Sequence, residues 1–317
     1  LRLHFFLCLS ACLLLGLCLS AQSRLAPKVP AKPFRVVAYL PEYRAAALET
    51  ANLAAVTDLL FFSLEPTPAG GLDSARLTPA IIAKLQAVKR RYPLRLWVTV
   101  GGWDRSAGFA PMASAPVKRR QFAQTLTQFC LTHRFDGADF DWEHPANAAE
   151  EAGYAALLAD VRRAFTPHGL GLSVTIAPWQ KLAPEAVAAV DSVQVMSYDH
   201  DGRHSTLAQA EADIADLNKQ GIPWNKLCLG IPLYGRGIAQ HDTTETYADI
   251  WTQYHPAPAI NEAGGLYFNG LETVRQKTRY ARAHHLDGVM VWEIGQDSTG
   301  VNSLLKAIHQ AATASSR

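Results

Sequence analysis

Three carboxylates stand at alternate positions in the segment Phe135-Asp136-Gly137-Ala138-Asp139-Phe140-Asp141-Trp142-Glu143. Side chains on a strand alternate between its two faces. Asp139, Asp141 and Glu143 therefore share one face, with successive members about 6.6 Å apart along the chain. Phe140 and Trp142 point the other way. Acids crowded in a low-dielectric interior cannot all ionise, because like charges at short range force at least one pKa upward. Such a split is the usual source of a proton donor at neutral pH. Glu143 is outermost and has the longest reach, so it is the natural general acid. Asp141 lies one step deeper, facing the reacting centre, and Asp139 can share a proton with it. Asp136 is out of phase with the row and reads as structural. Oxygen ligands at alternate positions would also suit a divalent cation. An EF-hand loop counted from Asp139 puts His144 where glycine is required; a magnesium site on the carboxylates stays open. A purely structural network is disfavoured, because buried unpaired acids cost several kcal/mol. The reading taken forward uses no metal and no cofactor.

A row of this kind needs a strand with one face turned to a protected interior. Beyond residue 33 one pattern recurs eight times: a short β-branched or apolar run, then a helical stretch. The runs are Arg35–Leu40, Asp58–Ser63, Arg95–Val100, Phe135–Trp142, Gly171–Ile176, Ser192–Tyr198, Lys226–Leu233 and Asp287–Trp292. Apolar spacing of three and four marks helices at Pro79–Arg91, Val117–His133, Glu150–Phe165, Leu207–Gln220 and Leu271–His284, with a last one at Val301–Ala312. Strands alternating with helices imply βαβ units and a parallel sheet. Eight units fit an α/β fold of the (β/α)8, or TIM, barrel type. A doubly wound open sheet uses the same elements, but no Gly-x-Gly-x-x-Gly follows the first run. A barrel places its chemistry at the carboxyl ends of its strands. Tyr39, Gly101-Gly102-Trp103, the acid row, Trp179, Tyr198-Asp199, Tyr234-Gly235-Arg236 and Trp292-Glu293 all fall at such ends.

The 317 residues are 49% apolar and 18% charged, with a formal net charge of +2. That excludes disorder and leaves no electrostatic footprint for nucleic acid. Residues 3–19 are nearly all apolar, with Arg2 ahead of them and Leu19-Ser20-Ala21 behind. This is the pattern of a signal peptide over residues 1–21. The proline-rich stretch 22–33 is then a linker, and 34–317 a single catalytic domain. Such a protein would be secreted, to an extracellular or periplasmic space, with no stable membrane insertion after cleavage. A membrane anchor, or a lipoprotein processed at Leu9-Ser10-Ala11-Cys12, is the alternative. Cys130 and Cys228 sit in apolar periodic segments and read as buried thiols, with a single bridge between them open. His200 and His204 fall in a loop with Gly202 and read as solvated.

The acid segment resembles the Asp-Gly-x-Asp-x-Asp-x-Glu signature of glycoside hydrolase family 18, the chitinase family. Leu96–Trp103 is similar to its Ser-x-Gly-Gly signature, with Thr99 in place of Ser. Met196-Ser197-Tyr198-Asp199 matches its Met-x-Tyr-Asp motif, and Val289–Glu293 the strand that carries its platform tryptophan. The resemblance runs over about residues 34–312. It implies substrate-assisted, retaining hydrolysis of β-1,4-linked N-acetylglucosamine in a polysaccharide or oligosaccharide. Glu143 would protonate the glycosidic oxygen while the sugar's own 2-acetamido oxygen attacks the anomeric carbon. Asp141 would hold the acetamido N–H, with Asp139 behind it. Tyr198 would bond the acetamido oxygen, Asp199 would help fix the sugar, and Trp292 would floor the site. Met196, Tyr39, Trp103 and Arg236 are further candidates for substrate contact. Members with a deep cleft carry an extra α+β domain after the seventh strand. The segment from Tyr234 to the eighth strand is short for it, which predicts an open groove. Two alternatives remain: a peptidoglycan or N-glycan endo-β-N-acetylglucosaminidase of the same fold, and a sugar-binding lectin. Such lectins typically lose the acid at the Glu143 position.

Overall fold

The computed structural model describes residues 33–314. The signal peptide expected at 1–21, and the linker at 22–33 apart from Pro33, lie outside the described residues. Eight parallel strands form a closed barrel: β1 (Arg35–Pro41), β2 (Asp58–Pro66), β3 (Arg95–Gly101), β4 (Gly137–Asp141), β5 (Gly171–Ile176), β6 (Ser192–Val195), β7 (Leu227–Pro232) and β8 (Gly288–Trp292). Each pairs with the next, and β8 closes on β1 with Met290 opposite Val37. The fold is the (β/α)8 barrel that the alternating runs predict.

Two strands fall three residues short of their apolar runs. β4 begins only at Gly137, because the Asp136 carboxylate accepts the Leu96 N–H at 2.7 Å and ion-pairs with Lys89. β6 ends at Val195, because Ser197 and Tyr198 donate their N–H groups back to Val195 and Met196. Helix starts follow their caps. Thr78 precedes Pro79–Arg91, Asn147 precedes Ala148–Phe165, and a Thr206–Gln209 capping box opens Leu207–Lys219. These side chains satisfy the orphan N–H groups of the first turn. Pro116 opens the helix Pro116–His133. The last helix begins at Leu304, not Val301, because Ser303 is its cap.

The main core lies between the strands and the outer helices. Phe140 and Trp142 face outward as expected and pack on Phe109, with ring centroids 6.2 and 5.1 Å away. Inside the barrel, Val37, Tyr39, Leu60, Trp97, Cys228 and Met290 form a second cluster. Cys130 and Cys228 are both buried and are not bridged to each other. Between β7 and β8 the chain makes a small antiparallel sheet from Tyr234–Gly237, Thr244–Thr246, Glu262–Ala263 and Leu266–Tyr267, with one helix, Tyr247–Tyr254. Among the described residues no helix is long and apolar enough to cross a membrane.

Candidate active site

At the carboxyl ends of the strands lies a cavity of about 360 Å³. Asp141, Glu143, Tyr198, Asp199, Met196 and Trp292 line it, as do Tyr39 and Trp103. The acid row is placed as strand alternation requires for its two inner members. Glu143 departs slightly from that picture, because it stands two residues past the end of β4.

Asp139 is fully buried beneath the cavity. Register explains its partners: it lies opposite Ser173 on β5, and Asp141 lies opposite Thr175. Ser173 donates to Asp139 Oδ1 at 2.6 Å, while Thr175 and Tyr39 donate to Oδ2 at 2.8 and 3.0 Å. The Tyr39 and Thr175 hydroxyls also meet at 2.5 Å. Burial raises the Asp139 pKa against these three donors. These hydroxyls contact both oxygens of the Asp139 carboxylate.

Asp141 is 3% exposed, and its Oδ1 has no hydrogen-bond partner among the described residues. Burial drives its pKa well above the carboxylate range, and the charges of Glu143 and Asp139 push it further. Asp141 and Glu143 also share a hydrogen bond. Burial raises Glu143 too, against the pull of His144, Asp141 and the Trp103 N–H. The pair therefore holds a proton at a pH where two exposed acids would have lost both. Ser106 fixes the backbone here: Glu143 N–H donates to its Oγ at 3.0 Å, and that hydroxyl donates to Gly102 O at 3.0 Å.

The β3 turn approaches the row closely. Gly101 and Gly102 have φ of +96° and +105°, a region that favours glycine. Gly102 N–H donates to Asp141 O at 2.6 Å. A Cβ on Gly101 would meet that same oxygen at 2.3 Å.

Across the cavity, burial and the nearby acids hold the Tyr198 phenol far above its ordinary pKa, so it remains a hydroxyl. Burial pushes Asp199 upward, but hydrogen bonds from His204 and Tyr234 and the charge of Arg236 bring it below the usual range. Its Oδ1 meets Tyr234 Oη at 2.6 Å, Arg236 Nη1 at 3.2 Å and His204 Nδ1 at 3.4 Å. Trp292 is wedged against Phe62 and Tyr39, with centroids 4.7 and 5.7 Å away.

One expectation needs correction, and one candidate stands beside the others. Arg236 does not line the main cavity. It lines an adjoining hollow that shares Asp199, Tyr234 and Trp292, and its Nε donates to His241 O. The loop histidine His204 is not solvated, and His200 is only partly exposed. His204 is fully buried against Asp199, because the loop folds back under Tyr234. His200 Nε2 lies 2.9 Å from Asp213 Oδ2.

The structure adds residues that the sequence reading passed over. Ser173 and Thr175 share one face of β5, in phase with the acids, and that alternation was visible. Phe62 ends an apolar run and Tyr234 had been noted only as a strand end. Arg105 comes from a loop and Tyr43 from the short 3-10 helix Glu42–Glu49, neither with an apolar period. A larger hollow, about 660 Å³, opens at the opposite end of the barrel. Its Lys89 and Arg162 are paired with Asp136 and Asp191, and it holds none of the acid row. The acid row therefore opens into the smaller cavity.

Residues 35–297 match the profile of the family described as Glycosyl hydrolases family 18. Chitinase 1 of Aphanocladium album is 26% identical over 282 residues, covering 70% of this chain and 66% of that protein. This chain spans less than two thirds of the length of several of the curated relatives it matches, down to 12% for the probable chitinase 10 of Drosophila melanogaster. Among solved structures, a chitinase from the chitin utilization locus of Flavobacterium johnsoniae superposes with a TM-score of 0.80 at 27% identity. It covers 89% of this chain and 94% of its own. A chitinase-like agglutinin from Robinia pseudoacacia shares the fold, with a TM-score of 0.75 at 21% identity over 87% of this chain and 98% of its own.

Proposed function

The chain belongs to glycosyl hydrolase family 18, and from that premise we propose that it is a secreted hydrolase of β-1,4-linked N-acetylglucosamine, acting on chitin or chitooligosaccharides with substrate assistance. The observation that carries the reading is the arrangement of acids. Asp139, Asp141 and Glu143 approach the cavity from one strand end, and Glu143 is the member nearest the opening, with its side chain 12% exposed. A double displacement through an enzyme carboxylate needs two carboxyls facing each other, about 5–5.5 Å apart across the sugar. Asp199 stands on the other side, but Tyr234 donates to its Oδ1 at 2.6 Å and Arg236 pairs with the same oxygen at 3.2 Å. That makes it a weak nucleophile and a good anchor.

The substrate's own acetamide avoids the problem, and its attachment gives a high effective molarity. Glu143, kept protonated by burial, gives its proton to the glycosidic oxygen as the acetamido oxygen attacks the anomeric carbon. The bond to the leaving sugar breaks, and an oxazolinium ion forms. The unpartnered Asp141 Oδ1 takes the acetamido N–H, and the Tyr198 hydroxyl bonds the acetamido oxygen. Trp292 supplies the apolar floor. Glu143, now a carboxylate, draws a proton from water, which opens the ion with retention at the anomeric carbon.

Glu143 also favours hydrolysis over binding alone, since a lectin has no use for a proton donor. Three measurements test the reading together. Chitooligosaccharides should be cut, while cello-oligosaccharides and fully deacetylated chitosan of equal length should not. The first new reducing end should be the β-anomer by NMR. A thiazoline analogue of the oxazolinium should bind far more tightly than substrate. Efficient cleavage of deacetylated chitosan, or an α-anomer first, refutes substrate assistance. Comparison of insoluble chitin, peptidoglycan and glycopeptide identifies the natural polymer.

A further inference from the structure

We infer that His144 is the charge partner of Glu143, and that its imidazolium supports the carboxylate left when Glu143 has given up its proton. This rests on the reading of Glu143 as general acid. His144 follows Glu143 directly, and its ring is held from two sides. Nδ1 lies 3.0 Å from Gln180 Oε1, and the ring meets Trp179 edge to face at 4.6 Å. Gln180 is 5% exposed, so the anchor is buried. The remaining ring nitrogen, Nε2, lies 3.8 Å from Glu143 Oε2. That is too long for a hydrogen bond but within ion-pair reach.

The anchor does not depend on charge. With Nδ1–H donating to Gln180, the same bond persists whether the ring is neutral or protonated. Protonation then adds an N–H at Nε2, already directed at Glu143, and no side chain has to turn. A cation is useful at this place. Between its acid step and its base step, Glu143 is a carboxylate in a nearly closed pocket. Asp199, beyond β6, repels that charge. The other cations near the cavity are engaged elsewhere. Arg105 grips Glu42 at 2.7 and 3.1 Å, and Arg236 pairs with Asp199. The hydroxyl of Tyr198 is neutral, and the Trp103 N–H donates a single bond to Glu143. Burial dominates the environment of Glu143 and raises its pKa; His144 is the largest influence in the other direction.

The test compares wild type with His144→Phe and His144→Gln in the full chain. The alkaline limb of kcat/KM is measured on a chitooligosaccharide, and the Glu143 carboxyl is titrated by carbon-13 NMR, its resonance assigned by loss in Glu143→Gln. Both variants remove the charge, so both should move the limb and the NMR midpoint upward, by about half to one pH unit for a partly exposed pair. Superposable titrations in wild type and variants would overturn the inference. So would a shift in His144→Phe that His144→Gln abolishes, because packing and not charge would then be responsible. The NMR arm needs no turnover. A wild type inactive on every N-acetylglucosamine polymer would sink the functional reading and still leave the His144–Glu143 coupling measured.

Discussion

Replacing Gly102 by alanine should damage the site more than the fold, and replacing Gly101 should do the reverse. Both glycines have φ near +100°, which costs an alanine about 1–2 kcal/mol. What the added methyl meets then separates them. At Gly102 it would lie 2.2 Å from Phe62 Cζ and 2.7 Å from Cε2. Phe62 can yield only within its box of Tyr39, Trp292 and the Arg105 guanidinium, at 6.3, 4.7 and 5.2 Å. Restoring ordinary contact moves the ring by more than about 1 Å, toward Trp292 and the cavity. At Gly101 the obstacles are Asp141 O at 2.3 Å and Phe109 Cε2 at 2.6 Å. A carbonyl in the β3–β4 ladder cannot swing aside, so the strands must part. Overpacking of this kind adds about 1–3 kcal/mol. The total, about 2–5 kcal/mol, should fall near its lower end for Gly102→Ala and near its upper end for Gly101→Ala. At about 2–4 °C per kcal/mol, Gly102→Ala should melt at least about 4 °C lower and Gly101→Ala lower still. Below its melting range Gly102→Ala should lose at least about tenfold in kcat/KM, because Trp292 is displaced. Scanning calorimetry and steady-state hydrolysis of a chromogenic chitobioside measure the two effects. A Gly102→Ala variant with wild-type Tm and kcat/KM would refute the packing argument, and so would Gly101→Ala proving the more stable of the two.

Glu143→Gln keeps the shape of the acid but has no proton to give. Its turnover should fall at least about 100-fold with oligosaccharide binding retained; near-normal turnover would end the assignment. Hydrolysis should survive exhaustive EDTA treatment, and activity lost to EDTA and restored by magnesium or calcium would revive a metal reading of the acid row. Lys277 is fully buried, and burial lowers its pKa to about 7. The unfolded chain binds that proton up to about pH 10.4, so the folded state should gain stability as pH rises from about 7 to 10. Lys277→Met should flatten that slope in urea titrations, and an identical slope in both proteins would show that Lys277 is charged in the fold.

What could be read from the chain was whatever depends on local period. The acids of β4 were legible because alternation assigns Asp139 and Asp141 to one face and Phe140 to the other. The strands were legible as short apolar or β-branched runs set between helical stretches. Partners fixed by register were not. That Asp139 faces Ser173 depends on how β4 and β5 align, and neither segment encodes it alone. Loops failed for a related reason. His204 looks solvated beside Gly202, yet its burial comes from Tyr234 and Tyr267, more than twenty residues away in the chain. Arg236 divides its guanidinium between His241 O and Asp199, and only the short sheet after β7 determines that.

The row of acids is tolerable because the barrel interior is not uniformly apolar. At the amino end Arg35 is buried, with Nε 2.9 Å from Asp58 Oδ2 and Nη1 3.0 Å from Asp287 Oδ2. Burial works against its charge, but the surrounding anions raise its pKa and keep the guanidinium protonated. Trp97 stands on this group and donates to Asp58 Oδ1 at 2.9 Å. The guanidinium lowers the Asp139 pKa from below, just as the three hydroxyls do from the sides. Asp141 has no such help from a cation, and every influence named for it pushes upward. A proton shared along the row is therefore worst placed on Asp139 and better placed on Asp141 or Glu143, beside the cavity. The depth of each acid thus sorts its role. The barrel's own polar filling offsets part of the burial of the deepest, and the outer pair retains a proton beside the cavity.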